Sequence, residues 1–382
     1  MRELAQRVIA CCRELADFSE EPGRTTRTFL SPPMRDVHRV LGTWMESIGM
    51  RVWVDAAGNL RGLYGDPTAP RLIIGSHLDT VPNAGAFDGI LGVVLGIAMA
   101  ELQPRRSLEV VGFSEEEGVR FGFPFIGSLA FTGCPLLPQV KEAIAAYGLN
   151  PSELPAARYA PECVAYLEFH IEQGPVLESL GIPLAAVDAI AGQSRFLLTF
   201  KGKANHAGTT PMRLRQDALA AAAQWIGEVE SYAAGCDGLV ATVGSLKVSP
   251  NAGNVIPGEV QASLDVRHSD NVQRLRAVQD LLTSAEKICA ARRIELAYEQ
   301  RLDQPAVPMN NDLTQLLGLH RMTSAAGHDA MIVAPHIPST MLFLRSPGGI
   351  SHHPDETVLP EDVEAALEAG ARFISALGAK YV

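Results

Sequence analysis

Histidines and carboxylates recur in this chain at the ends of short apolar runs, where side chains can meet and bind a metal ion. His77 and Asp79 are two positions apart in an extended segment, so they point to the same side. The other candidates are Asp88, the run Glu115–Glu117, the segment Glu168–Glu172 with His170 at its centre, and the doublet His352–His353. Imidazole and carboxylate ligands without thiolates suit zinc, and also manganese, cobalt or nickel. These residue types therefore predict metal-assisted chemistry.

Each of these positions also has a plainer interpretation. A single histidine at a strand end more often caps a loop or packs than binds a metal. Asp88 stands just before a predicted helix and could be its N-cap, and three consecutive glutamates are normally a solvated turn. The metal interpretation is favoured because each candidate follows a predicted strand or opens a helix. One edge of a sheet could therefore gather them all.

The candidate positions lie within an alternation of predicted strands and helices. Apolar runs predict strands at 71–77, 107–113 and 165–170, and helical patterns cover 88–101 and 141–147. Strands separated by helices pair in parallel and are covered by helices on both faces. We therefore expect an α/β domain with a mixed, mostly parallel sheet flanked by helices, and a ligand site at the carboxyl ends of its strands.

The segment from about 188 to 303 has a different pattern. Its predicted elements are a strand at 196–200, a helix at 216–231, strands at 240–248 and 259–266, a helix at 271–291 and a strand at 293–300. This is the element order of a ferredoxin-like α+β unit. A strand at 340–344 and a helix at 360–377 then resume the α/β pattern. The predicted domains are therefore a catalytic domain of residues 1–190 and 304–382 and an inserted domain of residues 191–303.

Composition and charge exclude several classes of protein. The 382 residues are 47% hydrophobic and 20% charged, which is the balance of a folded globular chain. Acidic residues outnumber basic ones by 43 to 32, and the net charge of −11 disfavours nucleic acid and anionic membranes as partners. The longest apolar run, Ile90–Ala100, is too short to span a bilayer. Six scattered cysteines without a CxxC pair predict free thiols and a reducing cytoplasm.

Three motifs give the chain a resemblance to a known family. They are Gly75-Ser76-His77-Leu78-Asp79-Thr80-Val81-Pro82, His170-Ile171-Glu172-Gln173-Gly174-Pro175-Val176-Leu177-Glu178 and His206-Ala207-Gly208-Thr209-Thr210-Pro211-Met212. With Asp88-Gly89, Glu116-Glu117-Gly118 and Ile350-Ser351-His352, they resemble the di-metal hydrolases that include carboxypeptidase G, the aminoacylases, N-carbamoyl-L-amino acid amidohydrolase and allantoate amidohydrolase. The similarity spans nearly the whole chain and is greatest to the last two enzymes.

The resemblance implies a pair of divalent metal ions, zinc or manganese, with cobalt or nickel also suited. Asp88 would bridge both ions. His77 and His170 would complete one site, and Glu117 and His352 would complete the other. A histidine at position 170, where the peptidases usually carry a carboxylate, is typical of the carbamoylase and allantoate branch.

The resemblance also implies how protons are moved. Glu116 would be the general base, and Asp79 would orient His77. The glycine after Glu117 favours this register, although the triple glutamate leaves a register one residue earlier open. His352 is favoured as the ligand because it follows Ile-Ser as in the family, which leaves the adjacent histidine beside the site or on the surface.

Residues for substrate binding are implied in the same way. His206 would reach the active site of the partner subunit in a homodimer and stabilise the oxyanion, so the inserted domain would serve as a lid and dimerisation domain. Arg267 would bind a substrate carboxylate through its planar fork. Gln173, Asn254 and Gly349 complete the expected substrate contacts. From spacing alone, an arginine near a strand end is more often a surface residue.

The implied reaction is metal-dependent hydrolysis of the ureido C–N bond of allantoate or an N-carbamoyl-L-amino acid, with release of ammonia and carbon dioxide. The partner would be a small molecule that carries a ureido or amide group and a carboxylate. Two alternatives stay open, an aminoacylase or dipeptidase/carboxypeptidase on the same scaffold and a non-catalytic binding protein on a hydrolase fold. The chemistry at the metals is the same in the two enzymes, so only the pocket separates them.

Overall fold

A mixed nine-stranded sheet organises the larger part of the chain. The computed structural model describes residues 1–103 and 106–381. The chain divides into a first unit, Met1–Asp188 with Pro308–Val382, and a second unit, Ala189–Val307.

The strands are β1 (Arg51–Val54), β2 (Leu60–Tyr64), β3 (Arg71–His77), β4 (Leu108–Phe113), β5 (Cys163–Ile171), β6 (Leu184–Ile190), β7 (Gly192–Lys201), β8 (Asn205–His206), β9 (Val240–Thr242), β10 (Leu246–Ser249), β11 (Val255–Ile256), β12 (Glu259–His268), β13 (Glu295–Gln304), β14 (Val307–Pro308), β15 (His320–Ser324) and β16 (Ser339–Leu344). The helices are α1 (Arg2–Ala16), α2 (Met34–Ser47), α3 (Ile90–Leu102), α4 (Ile126–Thr132), α5 (Pro138–Tyr147), α6 (Val176–Leu180), α7 (Ala218–Ala234), α8 (Asn271–Arg292), α9 (Asn311–Leu317), α10 (Ala330–Val333) and α11 (Pro360–Tyr381).

Parallel strands form the centre of the larger sheet, which confirms the predicted α/β class. The strand order is β1-β2-β4-β3-β5-β16-β6-β14, and β15 pairs with β6. The central strands β4, β3, β5 and β16 pair in parallel, while β2 and β6 run antiparallel to β4 and β16. The central strands are buried along nearly their whole length. Continuous apolar strands of this kind are expected where both faces of a sheet are covered.

The longest apolar run of the sequence forms a buried helix, α3, against this sheet. Every residue of Ile90–Ala100 is buried, as expected for a helix that is apolar on all sides. A Cβ at Gly92 would lie 2.2 Å from the carbonyl oxygen of Phe169, so glycine is required for the close approach of α3 to β5. The helix begins at Ile90 rather than at the predicted Asp88, because Gly89 is the N-cap residue with φ of 70°. Asp88 therefore lies outside the helix and is not its N-cap.

The second unit is an antiparallel sheet covered by two helices, which confirms the predicted ferredoxin-like order. The sheet order is β10-β12-β7-β13, with β9 paired to β12, and its register pairs are antiparallel. Burial alternates along β12, and its buried residues pack with those of α7 and α8 in a separate core. The predicted strand at 240–248 is two strands, because the chain leaves the β12 register between them and the Ser245 N–H donates to the Ser263 hydroxyl at 2.9 Å.

Five strands of the nine-stranded sheet were not predicted from the sequence. They are β1, β2, β6, β14 and β15. Most lie toward the ends of the sheet order or pair off the main path, where short mixed segments lack a clear period. The N-terminal helix α1 buries one side, which includes Val8, Cys12 and Leu15. Among the described residues, no helix has the length and apolar character needed to cross a membrane. All six cysteines are free thiols.

Candidate metal centre

Loops at the carboxyl edge of the central sheet bring most of the predicted ligands together. β3 ends at His77, β5 contains His170 near its end, and Asp88 stands in the loop before α3. All three side chains are buried. One ligand atom from each lies within 4.8 Å of the others, although the two histidines are 93 positions apart in the chain. Parallel strands end at the same edge of a sheet, and this places the histidines side by side.

Hydrogen bonds aim one nitrogen of each imidazole at the same point. The Nδ1 atom of His77 lies 3.0 Å from the carbonyl oxygen of Asp79, and that of His170 lies 2.9 Å from the carbonyl oxygen of Ile171. A carbonyl only accepts, so each Nδ1 donates and the Nε2 of a neutral ring carries a lone pair. The two Nε2 atoms are 3.4 Å apart, and that of His170 is 3.3 Å from Oδ1 of Asp88. Facing lone pairs beside a carboxylate fit a bound cation.

Asp88 also faces a second group of ligands. The Nε2 atom of His352 lies 3.2 Å from Oδ2 of Asp88 and 3.5 Å from Oε1 of Glu117. The ligand atoms of this group are again within 4.8 Å of one another. The Nδ1 atom of His353 lies instead 3.6 Å from the carboxylate of exposed Asp355. Asp88 thus turns one oxygen to each group, which is the arrangement of a bridging carboxylate.

The three consecutive glutamates have different surroundings. Glu117 belongs to the group just described, and Glu116 lies within 4.8 Å of both Glu117 and His77 through its ligand atom. Glu115 instead accepts a hydrogen bond from the backbone N–H of Arg120 at 3.2 Å. This geometry favours the register in which Glu117 faces the second ligand group and Glu116 stands beside it.

Asp79 holds the glutamate turn in place. Its Oδ1 accepts the backbone N–H of Glu116 at 2.9 Å, and its Oδ2 accepts that of Glu117 at 3.1 Å. The carboxylate lies 3.6 Å from Nδ1 of His77, while its own backbone carbonyl is nearer, at 3.0 Å. The residue expected to orient His77 therefore contacts that ring most closely through its carbonyl group. Its carboxylate fixes the neighbouring turn.

Burial concentrates negative charge at this edge of the sheet. It raises the pKa of Glu117 to about 7, helped by the charge of Asp88. Burial also raises the pKa of Glu116 well above its ordinary value. For Asp88, burial opposes ionisation, but the hydrogen bond from His352 and the charges of the neighbouring histidines together outweigh it and hold the pKa below its usual range. Burial lowers the pKa of His170 to about 4, so this imidazole is neutral at pH 7. Buried carboxylates beside neutral imidazole call for a cation to balance their charge.

Gln173, a predicted substrate contact, lies against the shared carboxylate. Its Nε2 donates to both oxygens of Asp88, at 3.2 and 3.1 Å. Its Oε1 is buried and has no hydrogen-bond partner in the part of the chain that the structure describes. An unsatisfied buried acceptor is unusual and marks a place where a ligand can donate. Gly349, another predicted contact, has φ of 64°, and a Cβ there would lie 3.0 Å from Pro175. Only glycine fits this position without strain.

Two of the remaining predicted residues meet on the surface of the second unit. β8 pairs with β11, and the N–H of Ala207 donates to the carbonyl of Asn254 at 2.9 Å, which places His206 close to Asn254 in the fold. The Nδ1 atom of His206 accepts the N–H groups of Gly208 and Thr209, at 3.0 and 3.2 Å. The neutral ring therefore carries its hydrogen on Nε2, and the side chain is exposed. It offers the kind of N–H donor that an oxyanion needs.

Arg267 lies on β12 and is held by an acidic neighbour. Its Nε donates to Oδ1 of Asp265 and its Nη2 donates to Oδ2 of the same carboxylate, each at 3.0 Å. The same carboxylate accepts a hydrogen bond from Nε of Arg195 at 2.9 Å. Two guanidinium groups thus share one carboxylate on this strand face. A guanidinium fork can bind a carboxylate with two parallel hydrogen bonds.

Two buried side chains near the centre have no counterpart among the predicted residues. The ring of His328 packs edge-on against that of His170, with centroids 4.4 Å apart, and its Nε2 lies 2.9 Å from the hydroxyl of Ser324. Glu356 accepts the backbone N–H of Asp88 at 3.0 Å. Neither belongs to a motif or follows a strand directly. The available signal for Glu356 was its position in the same loop as the predicted ligand His352, and His328 had none.

An α/β sheet with two groups of imidazole and carboxylate ligands at its carboxyl edge, interrupted by a ferredoxin-like unit, defines a class of metal-dependent hydrolases. Residues 73–376 match the profile of peptidase family M20/M25/M40. The chain belongs to this family.

Relatives of known activity and known structure cover nearly the whole chain. Allantoate deiminase 2 from Glycine max is 38% identical, over 98% of this chain and 90% of that protein. N-carbamoyl-L-amino acid amidohydrolase from Geobacillus stearothermophilus is 37% identical, over 93% of this chain and 94% of that protein. The crystal structure of an amidase of the hydantoinase/carbamoylase family from Burkholderia multivorans is 29% identical, with a TM-score of 0.89 and 97% of each chain covered.

Proposed function

We propose that this chain hydrolyses the ureido C–N bond of allantoate or of an N-carbamoyl-L-amino acid and releases ammonia and carbon dioxide. The observation that carries the proposal is the position of Asp88, which turns one oxygen toward His170 and the other toward His352. The names of the relatives, an allantoate deiminase and an N-carbamoyl-L-amino acid amidohydrolase, favour a ureido substrate over a peptide.

Two divalent metal ions fit the two ligand groups. His77, Asp88 and His170 would hold one ion, and Asp88, Glu117 and His352 would hold the other. Nitrogen and oxygen ligands suit zinc or manganese, and cobalt or nickel as well. When bound, such a pair lowers the pKa of a water molecule and polarises the substrate carbonyl.

We assign proton transfer to Glu116. Its carboxylate takes a proton from water and then delivers it to the leaving nitrogen, a role that typically contributes about 10²–10⁴-fold to the rate. Burial raises its pKa, which favours a carboxyl group that holds the proton between the two transfers. Asp79 positions this residue by accepting its backbone N–H.

We assign substrate binding to residues of both units. Arg267 binds the substrate carboxylate, Gln173 binds the ureido or carboxyl end, and Asn254 and Gly349 are further substrate contacts. The Nε2–H of His206 donates to the oxyanion. In the proposed homodimer, the partner subunit's His206 supplies this donor.

The six free thiols support a reducing cytoplasm as the compartment.

A substrate panel tests the proposal. The full chain is stripped of metal with a chelator, reloaded with manganese, cobalt or zinc, and assayed for ammonia release from allantoate and from N-carbamoyl-L-amino acids. N-acetyl amino acids and dipeptides are assayed in parallel. We expect metal-dependent ammonia release from a ureido compound. Cleavage of dipeptides or N-acyl amino acids alone would establish the alternative aminoacylase or peptidase activity. A chain that retains no transition metal and turns over nothing would be a binding protein on a hydrolase fold.

A further inference from the structure

A buried carboxylate outside the predicted site holds the backbone of Asp88. Glu356 lies in the loop between β16 and α11, four residues after His352, and is 4% exposed. Its Oε1 accepts the backbone N–H groups of Phe87 and Asp88, both at 3.0 Å. Its Oε2 accepts the hydroxyl of Ser351 at 3.1 Å. One carboxylate therefore joins the loop that carries Asp88 to the loop that carries His352.

Two further contacts tighten this junction. The Ser351 hydroxyl also lies 3.5 Å from Oδ2 of Asp88, the oxygen that faces His352. The backbone N–H of Glu356 donates to the carbonyl of His353 at 3.0 Å and closes the turn after His352. His352 itself has φ of 55°, a conformation that a residue with a side chain adopts only where its surroundings hold it. The turn that follows this imidazole thus ends at Glu356, whose side chain reaches the loop of Asp88.

A glycine leaves the space that this carboxylate occupies. A Cβ added at Gly85 would lie 2.4 Å from Cβ of Glu356 and 2.5 Å from its Oε1. Real Cβ atoms do not approach so closely, so any larger residue at position 85 would displace Glu356. The loop before Asp88 is therefore shaped around Glu356, although 268 positions separate Glu356 from Asp88 in the chain.

Burial of the Glu356 carboxylate costs free energy, which its hydrogen bonds to the two loops must offset. A second buried carboxylate beside Asp88 adds negative charge where burial already disfavours it. Three donors compensate for this cost, and they come from the two ligand-bearing loops. The hydrogen bonds of Glu356 thus act on the positions of Asp88 and His352.

We propose that Glu356 is a positioning residue that fixes Asp88 relative to His352 and thereby sets the affinity of the second metal position. This role rests on the proposed function, because it requires that these two residues bind a metal ion. Removal of Glu356 leaves every ligand in the chain and changes only where the ligands stand. Loss of such an outer partner typically lowers metal affinity about 10–100-fold.

The test measures binding of Mn²⁺ to the metal-free full chain by calorimetric titration, with bound metal counted by mass spectrometry. In Glu356→Ala, we expect the affinity for one of two ions to fall about 10–100-fold, with a smaller effect on the other ion. Glu356→Gln should restore most of this affinity, because its carbonyl oxygen can still accept both backbone N–H groups. The matched control is Asp355→Ala, which removes an exposed carboxylate from the same loop and should leave both affinities unchanged.

The outcomes separate this role from the proposed function. A wild-type chain that binds no metal would overturn the proposed function, and the role of Glu356 with it. Two ions bound equally well by wild type and Glu356→Ala would overturn the role of Glu356 alone. An equal loss of both ions in a Glu356→Ala chain that is still folded would also overturn it.

A second variant covers the case in which Glu356→Ala does not fold. Ser351→Ala removes the hydroxyl that lies between Glu356 and Asp88 and keeps both backbone hydrogen bonds. We expect this variant to lower the affinity for one ion about tenfold, at the lower end of the range for the loss of an outer partner. Wild-type affinity for both ions in this variant would overturn the role.

Discussion

The two units of this chain differ in the burial of most of their candidate functional residues, although His352 of the first unit is exposed, as His206 of the second unit is. In the first unit, His77, Asp88 and His170 are at most 3% exposed and stand at the edge of a parallel sheet. In the second unit, His206 is exposed in a two-residue strand, and Arg267 is half-buried on an antiparallel sheet. The first arrangement fixes ligand atoms before anything binds, while the second leaves donors accessible. Metal binding is therefore expected to depend on the first unit, and substrate recognition on both.

The largest effect should come from the proton-transfer residue of the first unit. Glu116→Gln keeps the volume of the side chain but cannot accept a proton from water. We expect kcat to fall about 10²–10⁴-fold while both metal ions stay bound. Ammonia release and the metal content of the purified chain are the measurements.

Glu115→Gln is the matched control, because Glu115 is the adjacent buried glutamate and bonds to Arg120 instead. It should lower kcat much less than Glu116→Gln. If Glu115→Gln loses the activity and Glu116→Gln keeps it, the base lies one residue earlier than we assign it.

The next largest effect should come from the exposed donor of the second unit. His206→Ala removes the Nε2–H that we assign to the oxyanion. Loss of one such donor typically costs about 10²–10³-fold in kcat. Metal content should not change, because the ligands lie in the first unit. Lys203→Ala removes an exposed cation three residues earlier and should keep wild-type kcat.

Mixing variants tests whether the donor comes from the partner subunit. A dimer of one Glu116→Gln subunit and one His206→Ala subunit would contain one complete site and one doubly defective site. After random exchange, activity should return to about one quarter of the wild-type value. No recovery, although the subunits exchange, would show that His206 does not act across a dimer.

A smaller effect should follow from a change to the guanidinium fork of the second unit. Arg267→Lys keeps the charge but loses paired donation to a carboxylate. Hydrogen bonds to charged groups are worth about 1.5–3 kcal/mol, so KM should rise about 10–100-fold with a lesser change in kcat. The control is Arg195→Lys, since Arg195 bonds to the same Asp265 carboxylate and is not assigned to substrate. Equal KM values for the two variants would remove Arg267 from the site.

The sequence predicted those features that depend on local pattern. Apolar runs indicated the central strands, and a change in the order of predicted strands and helices indicated the ferredoxin-like unit. The candidate ligands were singled out because each follows a predicted strand or opens a helix and parallel strands end at one edge, and the family resemblance supplied their roles. Strand β6, Leu184–Ile190, was missed because its alanine-rich sequence has no clear period.

Features set by distant contacts could not be predicted from the sequence. Glu356 acts on backbone N–H groups 268 and 269 positions away, and no local pattern encodes such a pairing. For Asp79, a contact with His77 was expected of the carboxylate, but the backbone carbonyl makes the closer one. Both groups belong to one residue, so only the fold decides between them.

The smallest effect should come from a substitution in the core of the second unit. It tests whether packing in that core affects metal binding in the first unit. Trp225 is fully buried on α7, packs against Phe200 and donates its Nε1–H to the carbonyl of Leu281 at 2.9 Å. Trp225→Phe removes this hydrogen bond and part of the ring, at a cost of about 1–3 kcal/mol. The urea midpoint of the second unit, followed by circular dichroism, should fall accordingly.

The metal centre should not respond to this change. The chain has three tryptophans, and Trp44 and Trp53 remain in the first unit, so their fluorescence reports the unfolding of that unit separately. We expect the affinity for Mn²⁺ to match that of the wild type. A fall in Mn²⁺ affinity would contradict the contrast between the units, because packing in the second core would then help to fix ligands such as Asp88 in the first.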